Sequence, residues 1–116
     1  MARSDKIVLL ASDIDRLKEI KKFIETNIGR ELNEIIIAKE FRISISTLKR
    51  HFTTYFRVSV YMFVLNIRMK KAMELLIARH GTVQQIGAYV GYTDTSAFTH
   101  KFTKYFGNPP AHYLRN

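Results

Sequence analysis

Hydrophobic side chains recur every three or four residues along most of the chain, the spacing that places them on one face of an α-helix. The longest such stretch follows Ser59, where Met62, Leu65, Met69 and Leu76 keep this spacing. No segment of useful length alternates between polar and apolar residues, and the only two prolines lie near the C-terminus. The pattern therefore predicts an all-α fold of about seven helices.

Start and stop signals place the first three helices at about 12–27, 33–41 and 46–56. Ser12, with Asp15 three residues later, predicts the start of the first helix as a weak capping box, and Gly29 predicts its end. Asn33 predicts the start of the second helix, because its side chain can accept a hydrogen bond from an unpaired N–H of the first turn. The third helix is expected to follow a tight turn.

The remaining helices are expected at about 59–79, 82–90, 95–106 and from 108 onward. Ser59 predicts the start of the long helix, and Gly81 predicts its end. Thr82 and Gln85 have the spacing of a capping box for the short helix that follows. Asn108, which precedes a proline, predicts the start of a last short helix.

The chain contains an internal repeat, since the segments FTTYF (52–56) and FTKYF (102–106) match at four of five positions. At offsets of 50 or 49 residues the repeat pairs Ser46 with Ser96, Leu48 with Phe98, Arg50 with His100, Ile37 with Ile86, and Arg42 with Gly91. Each copy consists of a short helix, a tight turn and a longer helix, which is the anatomy of a helix-turn-helix. We therefore expect an N-terminal helix with a first helix-turn-helix (1–57), a linker helix (58–80), and a second helix-turn-helix with a C-terminal helix (81–116).

The formal net charge of +9 is concentrated after residue 43. Residues 1–43 hold nine Lys and Arg against eight Asp and Glu, whereas residues 44–116 hold ten against two. Such a basic segment predicts a polyanionic partner, and double-stranded DNA is the leading candidate. The alternative is a basic helical module that binds an anionic membrane surface or acidic proteins. Only the DNA-binding reading predicts a preference for one duplex sequence over another.

The sequence does not favour an enzyme. It has no glycine-rich phosphate loop, no paired carboxylates in the basic region, and no nucleophile with a partner at motif spacing. The four histidines follow no metal-ligand spacing, and there is no cysteine. We therefore expect no catalytic residue, no metal and no cofactor. The absence of a long apolar run and of a convincing signal peptide predicts a cytoplasmic protein that does not use a membrane.

The longer helix of each copy, at about 46–56 and 95–106, has short polar or basic side chains opposite its apolar stripe and no acidic residue among them. The major groove of DNA is about 12 Å wide and admits a helix whose apolar side packs on its own domain. These two segments are therefore the predicted recognition helices.

The arrangement resembles the DNA-binding domain of the AraC/XylS family of bacterial transcription regulators. The resemblance extends from about residue 16 to residue 115, and it is sharpest in IGAYVGYTDTSAFTHKFTKYFGNPPAHYLR and in the linker segment LNIRMKKAMELL. It implies a bilobed seven-helix domain whose two recognition helices enter successive major-groove segments on one face of the duplex. Their separation would then be close to one turn of DNA, about 34 Å.

Transferred by position, the resemblance implies that bases are contacted by Ser46, Lys49, Arg50, Thr53, Thr95, Ser96, Thr99, His100 and Thr103. Arg50 is opposite the apolar stripe and can bind O6 and N7 of guanine, or else serve as a phosphate contact. Lys49 lies nearer the flank, where base and phosphate roles are both open. The candidate phosphate contacts are Arg57, Arg68, Lys70, Lys71, Lys101 and Lys104.

The sequence departs from the family pattern at several positions. The first copy has Arg42 where a turn glycine is usual, and Arg57 and Val60 replace a glycine-x-x-proline. His100 stands where the family often has arginine. Family members usually carry a separate sensor or dimerisation domain and act on RNA polymerase. The resemblance therefore implies these two further partners, and the chain is either a stand-alone regulator or part of a longer one.

Overall fold

A computed structural model describes residues 7–114, and within this range every regular element is a helix. The helices are α1 (Ala11–Thr26), α2 (Glu34–Glu40), α3 (Ile45–Phe56), α4 (Val60–Ile77), α5 (Val83–Tyr89), α6 (Thr95–Phe106) and α7 (Pro110–Leu114). The predicted all-α fold is confirmed. None of the described helices combines the length and the apolar character that crossing a bilayer requires.

Three of the predicted helix starts are confirmed by their hydrogen bonds. The Asn33 side chain accepts from the Ile36 N–H at 2.9 Å, and the Ser59 hydroxyl accepts from the Met62 N–H at 3.1 Å. At α5 the capping box is reciprocal: Thr82 accepts from the Gln85 N–H at 3.1 Å. The Gln85 side chain in turn accepts from the Thr82 N–H at 3.0 Å. Each contact satisfies a donor that the first helical turn leaves unpaired.

Two other predicted starts lie too late in the chain. Helix α1 begins at Ala11, because the Asp13 carboxylate, rather than that of Asp15, accepts from the Leu10 N–H at 2.9 Å. Helix α3 begins at Ile45, because Ser44 is the residue whose hydroxyl accepts from the first turn. A serine that precedes the helix and one inside its first turn look alike in sequence.

The end of the long helix and the start of the last one also differ from the prediction. Helix α4 ends at Ile77, and the left-handed residue after it is Arg79 (φ 58°) rather than Gly81. The N–H groups of Arg79 and His80 donate to the Leu76 and Leu75 carbonyls, which is the bonding of a Schellman motif. The last helix begins at Pro110, one residue after the predicted first helical position.

The described residues form two compact units. Unit 1 comprises the described residues up to Thr26 together with Leu32–Phe63, and unit 2 comprises Asn27–Glu31 and the described residues from Val64 onward. The α4 helix contributes its first turn to unit 1 and the remainder to unit 2.

In unit 1, α1 and α2 pack against α3. The periodic apolar positions of these helices form the buried core, as their spacing predicts. The buried side chains are Leu17, Ile20, Ile24, Ile37, Ala38, Leu48, Phe52 and Val60. In unit 2, α5 and α7 pack against α6, and the core is made of Met69, Ala72, Leu76, Ile86, Val90, Phe98 and Phe102.

The two units repeat the same ring packing. The Phe52–Phe56 centroids are 4.6 Å apart and the corresponding Phe102–Phe106 centroids are 4.7 Å apart. The correspondence continues past the segment found in the sequence: Phe63, on the first turn of α4, packs on Phe52 at 5.1 Å, and Tyr113 of α7 packs on Phe102 at 5.8 Å. The structural repeat therefore has three helical elements. The third, which is the first turn of α4 in unit 1 and α7 in unit 2, packs on the phenylalanine at the second buried position of the recognition helix.

Candidate nucleic-acid interface

Helix α3 has one buried side and one exposed side. Leu48 and Phe52 are both 0% exposed, whereas Arg50, two residues from each, is exposed. At 3.6 residues per turn, a two-residue step leads to the opposite side of a helix. The core contacts of α3 thus hold the Arg50 guanidinium in solvent, as predicted.

The other candidates on α3 are also accessible. Ser46 and Thr53 are exposed, and the Ser46 hydroxyl lies 3.4 Å from that of Ser44. Lys49 is exposed, and its Nζ is 3.9 Å from a Glu34 carboxylate oxygen of α2. An exposed pair at this distance contributes little to stability, so Lys49 can exchange this partner for an anion of a ligand.

Helix α6 is built in the same way around Phe98 and Phe102, which are both 0% exposed. Ser96 and His100 are exposed, whereas Thr95 and Thr99 are half-buried. The first turn and the middle of α6 therefore present short side chains that permit a close approach to a groove floor.

Thr103 is less suited to reading a base than its position in the sequence suggested. Its side chain is half-buried, and its hydroxyl donates to the Thr99 carbonyl one turn earlier at 2.7 Å. In this arrangement the hydroxyl retains only acceptor capacity. Threonines inside helices commonly bond back to the carbonyl one turn earlier, so a threonine inside the predicted helix was the available signal.

Asp94 is a polar residue of this region that the sequence reasoning did not assign. Its carboxylate caps α6 by accepting from the Ser96 N–H at 3.1 Å. The corresponding residue in unit 1 is the neutral Ser44, which caps α3. The signal was an aspartate directly before a periodic helix, since a negative side chain is favourable at the positive end of the helix dipole.

Gly87 positions α6 by allowing a close approach between helices. A Cβ at Gly87 would lie 2.8 Å from Cδ2 and 2.9 Å from Cγ of Phe98, which is fully buried. At the corresponding positions of unit 1 the chain has Ala38 and Leu48. A smaller residue on α5 thus accompanies a larger residue on α6.

Arg68 is half-buried, and its guanidinium group has partners within the protein. Its Nε donates to the Ile28 carbonyl at 3.2 Å and its Nη2 donates to the Arg30 carbonyl at 2.6 Å. The guanidinium also lies 5.8 Å from the centroid of the Tyr92 ring. Burial lowers the pKa of Arg68 from its usual value, and the neighbouring Tyr92 partly opposes this shift. These contacts link Arg68 to residues 28–30 within unit 2, and its phosphate role stays a prediction.

The other basic candidates differ in their surroundings. Arg57, Lys70 and Lys104 are exposed, and Lys101 is half-buried. The Lys71 ammonium is 3.7 Å from the Glu74 carboxylate one turn away, so its charge is partly balanced. Lys104, on the last turn of α6, therefore offers the simplest test of a phosphate contact.

Each of the two turns that flank α3 has an arginine at a position with a positive φ, which is the backbone conformation that favours glycine. Arg42, between α2 and α3, has φ 55°, and Arg57, after α3, has φ 66°. Their counterparts Gly91 and Gly107 have φ 107° and 92°. The departures from the family pattern have thus kept a positive φ at both positions.

The sequence is similar to a known domain type and to known regulatory proteins. A sequence profile described as a helix-turn-helix domain matches residues 37–116. The Msm operon regulatory protein of Streptococcus mutans is 31% identical over 99 residues, which are 85% of this chain and 36% of that protein. The chain therefore spans little more than a third of this relative's length.

Two solved structures are similar over most of the chain. The C-terminal domain of AraT, a response regulator from Geobacillus stearothermophilus, matches with a TM-score of 0.82 and 26% identity over 86% of this chain and 84% of that domain. A transcriptional regulator from Chromobacterium violaceum, described by its AraC-type DNA-binding domain, matches with a TM-score of 0.77 and 25% identity. That match covers 90% of this chain and 94% of the other. None of these matches supports the membrane or acidic-protein alternative.

Proposed function

The chain belongs to the AraC-type helix-turn-helix family of DNA-binding transcription regulators, and we propose on this basis that α3 and α6 enter successive major-groove segments of double-stranded DNA. The observation that carries the proposal is the construction of these two helices. Each buries two apolar side chains completely and presents hydrogen-bonding or basic side chains on its other side, with no acidic residue along the helix itself.

We propose different roles for the two recognition helices. Arg50 on α3 carries the strongest base preference, because a guanidinium can bind O6 and N7 of guanine together. On α6 the candidates are neutral hydroxyls and the imidazole of His100, which discriminate less between base pairs. The base-contact set is then Ser46, Lys49, Arg50, Thr53, Thr95, Ser96, Thr99 and His100, with Thr103 limited to accepting a hydrogen bond.

We propose two further partners for the protein. RNA polymerase and a sensor or dimerisation domain are partners that the family resemblance implies. A DNA-binding regulator of this type would act in the bacterial cytoplasm, where the chromosome lies, and it would need neither a cofactor nor a catalytic residue.

The proposal can be tested by selecting bound duplexes from a random pool and then footprinting the preferred sequence. We expect two protected major-groove patches on one face, with centres about one helical turn (34 Å) apart. Equal binding to selected and scrambled duplexes would contradict the proposal. Tight binding to anionic vesicles without any sequence preference among duplexes would favour the membrane alternative.

Replacing Lys104 with alanine should weaken binding to all duplexes by a similar factor, because a phosphate contact positions the protein without reading sequence. Removal of one such contact should reduce the slope of log K against log salt by about 0.9. The measurement is fluorescence anisotropy titration at several salt concentrations. Lys18→Ala removes one exposed charge from α1, where the charges are balanced, and should leave the slope unchanged. An unchanged slope in Lys104→Ala would exclude the phosphate contact.

A further inference from the structure

Two arginines bracket the recognition helix of unit 1 from left-handed backbone positions. Arg42 precedes α3 in the turn after α2, and Arg57 follows the last residue of α3. Both side chains are exposed. Left-handed backbone is unfavourable for any residue with a Cβ, and the second unit meets the same requirement with Gly91 and Gly107.

Helix geometry alone does not explain the choice of arginine. A cation near the C-terminal end of a helix is favoured by the helix dipole. However, a basic residue in the last turn provides this without left-handed strain, as Lys39 does in α2 and Lys104 does in α6. An arginine at the left-handed position differs from these lysines because its long cationic side chain extends from the turn and not from the helix.

The two recognition helices also differ in the positive charge that they and their flanking turns carry. On α3 and in the turns at its two ends the cations are Arg42, Lys49, Arg50 and Arg57. The residue that caps this helix is neutral, and the Glu34 carboxylate of α2 lies 3.9 Å from the Lys49 ammonium. On α6 the lysines are at 101 and 104, the turns at its two ends have glycine instead of arginine, and the capping residue is the acidic Asp94. Helix α3 with its two flanking turns thus carries more cations than α6 with its own, and the extra charge lies at the two ends of the helix.

We propose that Arg42 and Arg57 bind DNA phosphates at the two ends of α3, so that this recognition helix is held more strongly by electrostatic attraction than α6. The inference rests on the proposed insertion of α3 into a major groove. A helix of 12 residues is about 18 Å long and the groove is about 12 Å wide, so the turns at its ends reach the sugar–phosphate strands that border the groove. Guanidinium groups suit this role because they bind phosphate oxygens through two parallel N–H bonds.

The test is the double substitution Arg42→Gly with Arg57→Gly, which relieves the left-handed strain and removes both cations. The midpoint of thermal unfolding should equal or exceed that of wild type. Affinity for the selected duplex should fall roughly 10- to 100-fold at 0.1 M salt, and the salt slope should decrease by about 1.8, since each of the two phosphates accounts for about 0.9. The matched control is Arg79→Gly, which relieves the same backbone strain at the end of α4 and removes one charge. It should leave the slope unchanged.

The outcomes separate the inference from the proposed function. An unchanged salt slope in the double variant, or an equal decrease per charge in Arg79→Gly, would overturn the proposed phosphate contacts. In that case wild type would still prefer the selected sequence. Absence of sequence preference in wild type itself would instead reject the proposed function. If the glycine variant unfolds at a lower temperature, asparagine at both positions, which tolerates a left-handed backbone, decides by the same slope. Lysine at both positions should restore the slope but only part of the affinity.

Discussion

Replacing Gly87 with alanine is expected to lower the free energy of unfolding by about 1–2 kcal/mol. The new methyl group would lie 2.8–3.2 Å from three atoms of the Phe98 side chain, which has no exposed surface and cannot swing away. Overpacking of this kind costs about 1–3 kcal/mol. The better helix propensity of alanine offsets about 0.5–1 kcal/mol of that. Urea unfolding followed by far-ultraviolet circular dichroism provides the measurement.

The internal repeat supplies the control for this substitution. Combining Gly87→Ala with Phe98→Leu recreates the Ala38 and Leu48 pair of unit 1. Phe98→Leu alone should be destabilising because it leaves a cavity. In the double variant the alanine should no longer be harmful, which corresponds to a coupling of about 1 kcal/mol in a double-mutant cycle. Additive effects of the two substitutions would show that the close contact with Phe98 is not the cause.

Replacing Arg50 with alanine should remove the preference for one base pair of the target. A bidentate contact to guanine contributes about 1–3 kcal/mol of discrimination, which corresponds to a roughly 5- to 150-fold change in relative affinity. Since the side chain is exposed between two buried residues of α3, the substitution should leave the fold intact. Competition titrations against duplexes that vary one base pair at a time measure the effect.

The variant Arg50→Lys separates base reading from general attraction. Lysine keeps the charge but lacks the planar fork, so we expect most of the base preference to disappear and much of the overall affinity to be kept. If both variants weaken every duplex equally, with the ranking of sequences unchanged, Arg50 contacts a phosphate and the base reading lies elsewhere.

The sequence was sufficient to predict the helices and the orientation of α3, and the physical reason is local. A spacing of three and four residues decides which side is buried, so the exposure of Arg50 follows from the burial of Leu48 and Phe52. Helix starts were less predictable because they depend on which of several polar side chains takes the cap. The prediction began α3 at Ser46, whereas Ser44 caps the helix, and only the backbone geometry distinguishes the two serines.

The features that the sequence did not reveal depend on contacts between residues that are distant in the chain. In the sequence Arg68 resembles the other basic residues of the linker helix, but its partners are carbonyls 38 and 40 residues earlier. The ring of Phe63 likewise belongs with Phe52, although the matching segments suggested that the repeat stopped at the recognition helix. Periodicity gives no information about such pairings.

The shared use of α4 has a consequence for how the chain can be divided. Phe63 contacts both Phe52 and Phe56, at 5.1 and 4.9 Å between ring centroids. A fragment that stops at Arg57 would deprive these aromatic rings of that neighbour, whereas one that continues beyond Phe63 would retain it. A fragment that folds as unit 1 alone must therefore include the first turn of α4. In this respect the first turn of α4 corresponds to α7 in unit 2.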